Sequence, residues 1–448
     1  MTDKNQEMAR RIALLVAQNG GVAYYVGGYV RDKLMLKDNK DIDIEIHGIY
    51  PAQLERLLDS LGSRISIGES FGIYSLRGYS LDLALPRIEQ NRGHGHRDFD
   101  ICVDPFVGTY KAAKRRDFTI NALMQNILTG EIIDHFGGIS DLQNRVIRHI
   151  DDCTFVEDPL RVLRAAQFAA RFDFRIADNT AELCSKMDIS AISCERIESE
   201  LKKAMLKAQR PSVFFKTLRQ MKQLSVWFAE LKQTIGIEQN PEHHPEGDVW
   251  NHTMMVIDAA AEYRESVSNP FGFMLAALCH DFGKSICTQA IDEKIHAYGH
   301  EKLGLPVIRA FMRRLTNEKG LMRYVLNLCE LHMQPNQLAA GKSSIKATNR
   351  MFDAAIDPEA LIKLAACDNA GKEKSCSYGA NTAFLTERLA IYREYMSRPY
   401  VSGSDLIKAG VQPGDEFSKY IEYAHKLRLA GINKEDALHQ TLAMARKH

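Results

Sequence analysis

The hydrophobic periodicity of the chain changes near residue 150, and this change limits the folds that the chain can adopt. Before that point, short apolar runs at residues 22–26, 41–46, 73–77 and 79–85 have strand character, and Arg77-Gly78 predicts a hairpin turn between the last two. Residues 7–18 and 51–61 predict helices. After residue 150, apolar residues recur at three- and four-residue spacing almost throughout. The sequence therefore predicts an α+β fold, in which a head with a small mixed sheet precedes an elongated all-α body.

The composition is that of an ordinary globular protein, with 448 residues, 45% of them hydrophobic, and a net charge of +1. A near-neutral chain exerts no overall electrostatic attraction on nucleic acid, so any nucleic-acid-binding site must be a local basic patch. The nine cysteines form no CxxC pair, and the first ten residues are polar. No run approaches the roughly 18 apolar residues of a membrane span. We expect a cytoplasmic protein with reduced thiols and no membrane segment, which excludes a secreted disulfide scaffold, a transporter and a fibrous protein.

Changes of composition divide the chain into four predicted domains. Residues 1–150 form the head and residues 151–237 a helical neck. A polar stretch with two prolines, at residues 238–248, opens a second helical block that extends to residue 396. Residues 397–448 follow as a short helical tail.

The run Lys40-Asp41-Ile42-Asp43-Ile44-Glu45-Ile46 alternates strictly between charged and apolar residues. In a strand, this alternation puts Asp41, Asp43 and Glu45 on one face. Crowded carboxylates repel one another unless a cation lies between them, and paired hard oxygen ligands suit Mg²⁺ bound together with phosphates. The alternative is an edge strand with a solvated acidic face. Asp82, inside the predicted strand at residues 79–85, is either an outward-facing strand residue or a third carboxylate of the same site.

Two further segments of the head have features of a phosphate site. Gly27-Gly28 follows a strand and opens a short helix, so backbone N–H groups can approach an anion, and Arg31 lies one turn further on. Lys114-Arg115-Arg116-Asp117 places three cations before another helical pattern. Alone, the first segment is a turn and the second a solvated helix start.

Together these segments resemble the polymerase-beta-like nucleotidyltransferase superfamily, and in particular the tRNA nucleotidyltransferase and bacterial poly(A) polymerase family of the eubacterial class. The resemblance rests on GG-x-x-RD, KD-x-D and RRDFTINA, and it extends to the C-terminal segment at residues 401–414. It implies CTP and ATP as substrates, tRNA as partner, and Mg²⁺ as the metal in the head. The implied metal ligands are Asp41 and Asp43, with Asp82 as the third catalytic carboxylate. The implied nucleotide-binding residues are Gly27, Gly28, Arg31, Arg116, Asp117, Asn121, Asp158, Arg161 and Arg164.

The start of the neck can read a base. Asp158 is a suitable N-cap with Pro159 as the first helical residue, and Asp158, Arg161 and Arg164 follow one another at three-residue spacing. A carboxylate beside a guanidinium matches the amine donor and ring acceptor of cytosine and adenine, whereas uracil and guanine present the reverse order. The family's ED-x-x-R motif has the same implied role. Gln167 replaces the arginine that usually comes next, which puts rate or nucleotide preference in question, and Arg171 is a candidate substitute. The alternative is a capped helix with a basic face.

Residues 196–222 contain eight lysines or arginines and two glutamates. This excess predicts a basic stripe that could grip an RNA backbone, the alternative being a solvated helix face.

The second helical block carries histidines and aspartates on separate predicted helices: His252, His280-Asp281 and Asp368. Such residues suit a divalent transition metal inside a helical bundle. The order H…HD…D and the run CHDFGK resemble the His-Asp (HD) phosphohydrolase superfamily. His300 and His332 are candidates for further ligands or substrate contacts. The resemblance implies either metal-dependent hydrolysis of cyclic or terminal phosphates, or a body that only binds RNA.

The sequence therefore predicts a cytoplasmic enzyme that adds C and A to the 3′ end of tRNA without a nucleic-acid template. Alternatives are an enzyme that adds only CC or only A, a poly(A) polymerase, and a phosphohydrolase whose head only binds RNA. Residues 88–106, with Arg92, His94, His96 and Arg97, are the candidate flexible element that switches from C to A. The sequence carries no signal for an oligomeric state.

Overall fold

The structure is a computed structural model that describes residues 4–39, 41–66, 72–91, 99–242, 244–292, 294–370 and 378–446. Within these ranges, no helix combines the length and the apolar content needed to cross a membrane. The fold is of the predicted class: a mixed sheet with helices in the N-terminal part, followed by helices almost throughout.

The strands are β1 (Val22–Val26), β2 (Ile42–His47), β3 (Arg64–Ser66), β4 (Ile73–Leu76), β5 (Leu81–Ala84), β6 (Arg87–Asn91), β7 (Phe99–Val103), β8 (Met124–Asn126), β9 (Ile132–Ile133), β10 (Val146–Ile147), β11 (Arg175–Ile176), β12 (Gln289–Ile291) and β13 (Lys294–His296). Four strands, β1, β2, β4 and β5, fall where the sequence predicts them.

The helices up to residue 233 are α1 (Lys4–Gln18), α2 (Gly28–Leu34), α3 (Pro51–Asp59), α4 (Thr109–Lys114), α5 (Gly138–Gln143), α6 (Asp152–Phe155), α7 (Leu160–Phe172), α8 (Asp178–Ser185), α9 (Cys194–Lys207), α10 (Ser212–Gln220), α11 (Leu224–Trp227) and α12 (Ala229–Gln233). The later helices are α13 (Val249–Tyr263), α14 (Pro270–Cys279), α15 (Lys284–Cys287), α16 (His300–Leu303), α17 (Leu305–Leu315), α18 (Lys319–Leu331), α19 (Met333–Ala340), α20 (Ile345–Ala354), α21 (Pro358–Ala370), α22 (Tyr378–Ser397), α23 (Gly403–Lys408), α24 (Phe417–Leu429) and α25 (Lys434–Ala445). Short 3-10 helices lie at Thr119–Asn121 and Arg264–Ser266.

The chain forms two compact units, the first made of residues 1–192 and 213–223 and the second of residues 193–212 and 224–448. In the first unit, a seven-stranded sheet has the order β3-β4-β5-β2-β1-β8-β9. β2 and β5 run parallel and their neighbours run antiparallel, so the sheet is mixed as predicted. The isoleucines of β2 point into the core of this unit, where Ile42, Ile44 and Ile46 are buried. The opposite face of β2 is thereby left for the carboxylates.

The turn between β4 and β5 is the predicted hairpin. Gly78 has a φ of 87°, a conformation that glycine adopts without strain, and the backbone N–H of Tyr79 donates to Leu76 O at 3.1 Å. The turn takes up residues 77–80, so β5 is shorter than the predicted strand at residues 79–85.

The described part of residues 88–106 contains two paired strands. β6 and β7 pair antiparallel over five residue pairs, from Arg87 opposite Val103 to Asn91 opposite Phe99. The candidate switch residues Arg92, His94, His96 and Arg97 lie outside the described residues, so the switch remains a prediction.

In the second unit, α13, α14, α18 and α21 pack together, and their facing sides are apolar. α14 is buried on all sides, with every residue from Phe271 to Cys279 in the core. Because His280 and Asp281 follow this buried helix directly, they also lie in the interior of the unit.

Candidate functional site

Asp43 and Asp82 lie side by side in the head because β2 and β5 pair in parallel with these two residues in register. Both side chains retain exposure, and they line a cleft of about 480 Å³ together with Arg115 and Arg116. Partial burial raises the pKa of the Asp43 carboxyl; the neighbouring Asp82 and Asp41 raise it further, and Arg116 opposes them. This crowding of carboxylates favours a bound cation.

Asp41 immediately precedes β2 and is exposed. Among the described residues, groups of three ligand atoms within 4.8 Å of one another occur at the histidines of the second unit and not at the head carboxylates. The head therefore brings Asp43 and Asp82 together, with Asp41 just before the strand that carries Asp43.

Glu45, the third acidic residue of the run, is not a free carboxylate. It accepts hydrogen bonds from Arg116 Nη2 at 3.1 Å and from His47 Nε2 at 2.9 Å. Although burial alone raises the pKa of Glu45, the His47 hydrogen bond and the Arg116 guanidinium hold it below its ordinary value. Glu45 therefore fixes Arg116 at the cleft. The alternating pattern placed Glu45 on the correct face but did not reveal this pairing.

The glycine turn approaches Arg116 closely. Gly27 has a φ of 62°, and a Cβ atom at this position would lie 2.8 Å from Arg116 Nη1. A Cβ atom would displace the guanidinium from its observed position, and the positive φ also favours glycine here. The two sequence segments predicted to hold phosphates thus meet in the structure.

Arg31 is buried beneath this turn. Its Nε donates to Asp32 Oδ1 at 2.7 Å, its Nη1 donates to Asn121, and its guanidinium lies 4.6 Å from the Phe172 ring centroid. The observed partners of Arg31 are thus protein groups, and its phosphate contact stays a prediction.

Asp117 joins the head to α7 through an ion pair in which its carboxylate is buried and Arg164 is partly exposed. Its carboxylate accepts from Arg164 Nε at 2.7 Å, from Asn121 Nδ2 at 2.9 Å and from the backbone N–H of Phe118 at 2.8 Å. Burial alone raises the pKa of Asp117, but Arg164 and Asn121 hold it below its ordinary value. Since Asn121 also binds Arg31, four predicted nucleotide-binding residues form one network.

The base-reading helix begins within one residue of the prediction. The regular helix α7 begins at Leu160, but Pro159 already has helical dihedral angles (φ −56°, ψ −23°), and Asp158 Oδ1 accepts from the backbone N–H of Leu160 at 3.1 Å, as an N-cap does. Arg161 donates to two backbone carbonyls, Thr154 O and, at 2.9 Å, Arg115 O. Arg161 therefore also fastens α7 to the segment that carries the arginines of the cleft.

Gln167, the departure from the family pattern, is buried on α7, and its Nε2 has no hydrogen-bond partner within the described parts of the chain. Arg171, the proposed substitute, lies 3.7 Å from Asp32 Oδ2. Its observed ion pair is therefore with the protein.

The basic stripe is divided between the two units. Arg196, Lys202, Lys207 and Arg210 are exposed in the second unit, and Lys203 binds Glu200 at 2.7 Å. In the first unit, the exposed cations are Lys216, Arg219 and Lys222. An RNA-binding role for the stripe stays a prediction.

All six predicted residues of the second block converge in the interior of the second unit: His252, His280, Asp281, His300, His332 and Asp368. His252 Nε2 lies 3.0 Å from Asp368 Oδ1, His280 Nε2 lies 3.3 Å from Asp281 Oδ2, and His300 Nε2 lies 3.2 Å from His332 Nε2. Five elements far apart in the sequence thus build one cluster.

The four histidines share one tautomer, because each Nδ1 faces an acceptor. Those of His280, His300 and His332 donate to the backbone carbonyls of Ala277, Ala297 and Cys329 at 2.9, 2.9 and 2.6 Å. The Nδ1 of His252 donates to Glu246 Oε1 at 2.7 Å. Fixing Nδ1 in this way directs each Nε2 to the centre, as at metal sites.

The charge states of Asp281 and His332 suit a cation; although burial opposes it, neighbouring carboxylates raise the pKa of His252 and that of His300. Although burial raises it, the His280 ring and the Lys284 ammonium hold the pKa of Asp281 well below its ordinary value, so this carboxylate is ionised. Burial, together with the His280 and His300 rings, lowers the pKa of His332 to about 3, so its ring is neutral. His280 Nε2 is buried and has no hydrogen-bond partner in the described part of the chain. A divalent transition metal would satisfy that atom.

Sequence reasoning missed two residues next to this cluster. Glu246 is 2% exposed in its side chain and accepts from both His244 and His252. Gln239 accepts from Lys284 Nζ at 2.8 Å. Both lie in the polar stretch at residues 238–248 that reads as a linker. The stretch lies immediately before the helix that carries His252, and this position is the sequence feature that could have indicated a role at the cluster.

Comparisons with known proteins agree with this arrangement. A model described as the Poly A polymerase head domain matches residues 23–148, and a model of the HD domain matches residues 249–369. The chain is 33% identical to the multifunctional CCA protein of Pasteurella multocida over 402 residues, which are 87% of this chain and 92% of that protein.

Solved structures share the fold. The Bacillus stearothermophilus CCA-adding enzyme in complex with CTP has a TM-score of 0.68 and 19% identity, covering 100% of this chain and 99% of that one. The Thermotoga maritima CCA-adding enzyme complexed with tRNA has a TM-score of 0.64 and 20% identity, covering 98% and 95%.

Proposed function

The chain belongs to the family of multifunctional CCA proteins, and we propose that Asp41, Asp43 and Asp82 are the carboxylates of its nucleotidyltransferase site. The protein is a tRNA nucleotidyltransferase that adds C and A to tRNA 3′ ends from CTP and ATP without a nucleic-acid template. The observation that carries the site proposal is the register of β2 and β5, which sets Asp43 beside Asp82 at a cleft lined by arginines.

In the proposed reaction, the tRNA 3′-hydroxyl attacks the α-phosphate of the nucleotide and pyrophosphate leaves. Asp41, Asp43 and Asp82 would hold Mg²⁺, which when bound neutralises phosphate charge and lowers the pKa of the hydroxyl. Arg116, held by Glu45, and Arg115 offset the charge of the triphosphate at the cleft.

We propose that Asp158 and Arg161 select the base. The Asp158 carboxylate accepts from the exocyclic amine of C or A, and the Arg161 guanidinium donates to the neighbouring ring nitrogen. U and G present the reverse order and leave both groups unpaired, which costs about 1–3 kcal/mol for each buried group.

The test uses purified protein, tRNA that lacks its 3′ end, Mg²⁺ and labelled nucleotides on a sequencing gel. CTP alone should extend the tRNA by two residues, and CTP with ATP by three. If the protein adds only C, only A, or a long run of A when both nucleotides are present, it has one of the narrower activities and not CCA addition.

A second activity is favoured by the histidine cluster, whose buried His280 Nε2 is directed toward the centre without a hydrogen-bond partner among the described residues. We propose that the second unit is a metal-dependent phosphohydrolase for terminal or cyclic phosphates of RNA. His252, His280, Asp281 and Asp368 would hold the metal, joined by His300 and His332. When bound, it would activate a water for attack on phosphorus. Hydrolysis of 2′,3′-cyclic AMP with Mn²⁺ or Ni²⁺ should occur in the wild type and be lost in His280→Ala. An unchanged rate in that variant would assign the cluster to structure.

A further inference from the structure

A cavity of about 250 Å³ extends from the histidine cluster to the hairpin of β12 and β13. Asp281, His300 and Asp368 line one part of it, and Thr288 and His296 another. The cavity therefore joins the candidate metal residues to a part of the second unit for which the proposed hydrolysis has no role so far.

Gln239 in the wall of this cavity has an unused donor. The residue is 7% exposed, its Oε1 accepts from Lys284 Nζ at 2.8 Å, and its Nε2 has no hydrogen-bond partner among the described residues. Leaving a buried donor unpaired costs about 1–3 kcal/mol. A ligand oxygen in the cavity would accept this hydrogen bond. The Lys284 ammonium, which also pairs with Asp281 Oδ2 at 2.8 Å, lies beside this donor and can contact an anionic oxygen.

Two aromatic rings lie at the end of the hairpin. His296 is the last residue of β13, and Tyr298 follows in the turn after it. The rings stack with centroids 4.8 Å apart and planes 13° apart, and Tyr298 is 67% exposed. His296 lines the cavity. A flat pair of rings at a cavity edge is the kind of surface on which nucleobases stack.

We propose that this cavity binds a terminal nucleoside phosphate, with Gln239 donating to a phosphate oxygen and the His296–Tyr298 pair stacking on the base. This inference rests on the proposed phosphohydrolase function and deepens it, because it makes the site select nucleosides over other phosphate esters. Tyr298 and His296 are binding residues in this proposal, and they take no part in the chemical step.

The experiment compares two phosphomonoesters of secondary alcohols, 2′-AMP and glycerol 2-phosphate, of which only the first has a base. Full-length protein with Mn²⁺ is assayed for phosphate release as the wild type, Tyr298→Ala and Tyr298→Phe. Tyr263→Ala, at another exposed tyrosine of the same unit, is the matched control. In Tyr298→Ala, KM for 2′-AMP should rise roughly 5- to 150-fold with kcat nearly unchanged, because stacking contributes about 1–3 kcal/mol per base.

In the same variant, KM for glycerol 2-phosphate should not change, and Tyr298→Phe should behave as the wild type toward both esters. Gln239→Leu should raise KM for both esters, since both carry the phosphate. Equal effects of Tyr298→Ala on the two esters, or none on 2′-AMP, would overturn the base subsite. Turnover of glycerol 2-phosphate by each variant verifies that it is folded.

If the wild type hydrolyses neither ester, the phosphohydrolase function fails, and binding decides the subsite separately. Calorimetric titration with 2′-AMP, with excess CTP present to occupy the head, should then give tighter binding to the wild type than to Tyr298→Ala. Equal binding, or none to the wild type, would refute the subsite.

Discussion

Replacing Asp117 by asparagine removes the negative charge that receives Arg164 inside the first unit. The carboxylate is 8% exposed, and two nitrogens of Arg164 lie 2.7 and 2.6 Å from its Oδ2. Breaking a buried ion pair costs about 3–5 kcal/mol. Because the Arg164 side chain is 32% exposed and can turn to water, we expect a smaller loss of about 2–3 kcal/mol.

Both tryptophans, Trp227 and Trp250, lie in the second unit, so tryptophan fluorescence does not report on the first unit. Hydrogen exchange read by mass spectrometry can assign the loss of stability to the first unit. Peptides that cover α7 and the 3-10 helix Thr119–Asn121 should exchange roughly 30- to 150-fold faster in Asp117→Asn. Peptides from α13 and α14 should not change. Glu131→Gln, at an exposed carboxylate of the same unit, is the control.

The pH dependence gives a second check. Because the folded pKa of Asp117 lies below its unfolded value, the pair's contribution is fully present above the unfolded pKa, near 3.9, and is lost as the pH falls through the folded pKa. The difference between wild type and variant should therefore be constant from about pH 6 to pH 8. A difference below about 0.5 kcal/mol, or one that changes across this window, would refute the ion-pair account.

Three further changes test the two sites. Asp43→Asn should lower CMP incorporation by about 100-fold or more while leaving tRNA binding in a gel-shift assay unchanged, and incorporation at the normal rate would rule out the carboxylate site. Glu246→Leu should weaken Mn²⁺ binding by about 10- to 100-fold in calorimetry, because His252 loses the acceptor that fixes its tautomer, while nucleotide addition serves as the unchanged control. Arg161→Lys should lower discrimination of CTP against UTP by roughly 5- to 150-fold in kcat/KM; equal discrimination would remove Arg161 from base selection.

Much of the fold could be predicted from the sequence, because strand and helix periodicities differ and the chain keeps each over long segments. β1 has the predicted bounds. Asp43 and Asp82, which were predicted to share one carboxylate site, lie in register on the parallel strands β2 and β5. Asp158 and Pro159 open α7 as predicted, since Pro159 has helical dihedral angles and Asp158 Oδ1 accepts from the backbone N–H of Leu160.

The supporting residues could not be predicted because their partners are distant in sequence. Glu45 binds Arg116, 71 positions away, and Gln239 binds Lys284, 45 positions away. Local spacing contains no information on such pairs. Glu246 is only six positions from His252, but a segment rich in prolines and charges reads as a linker, and only the fold of that linker brings the carboxylate to the ring.

The pairing of β2 with β5 has a consequence for how this enzyme can change in length. An added residue in the turn at residues 77–80 leaves the strands in phase, so changes in the length of this turn should not harm the fold. Adding one inside Leu81–Ala84 would invert the orientation of every later side chain in that strand, burying a carboxylate and exposing leucines. Insertions and deletions that survive selection should therefore collect in the turn and avoid the strand beside it.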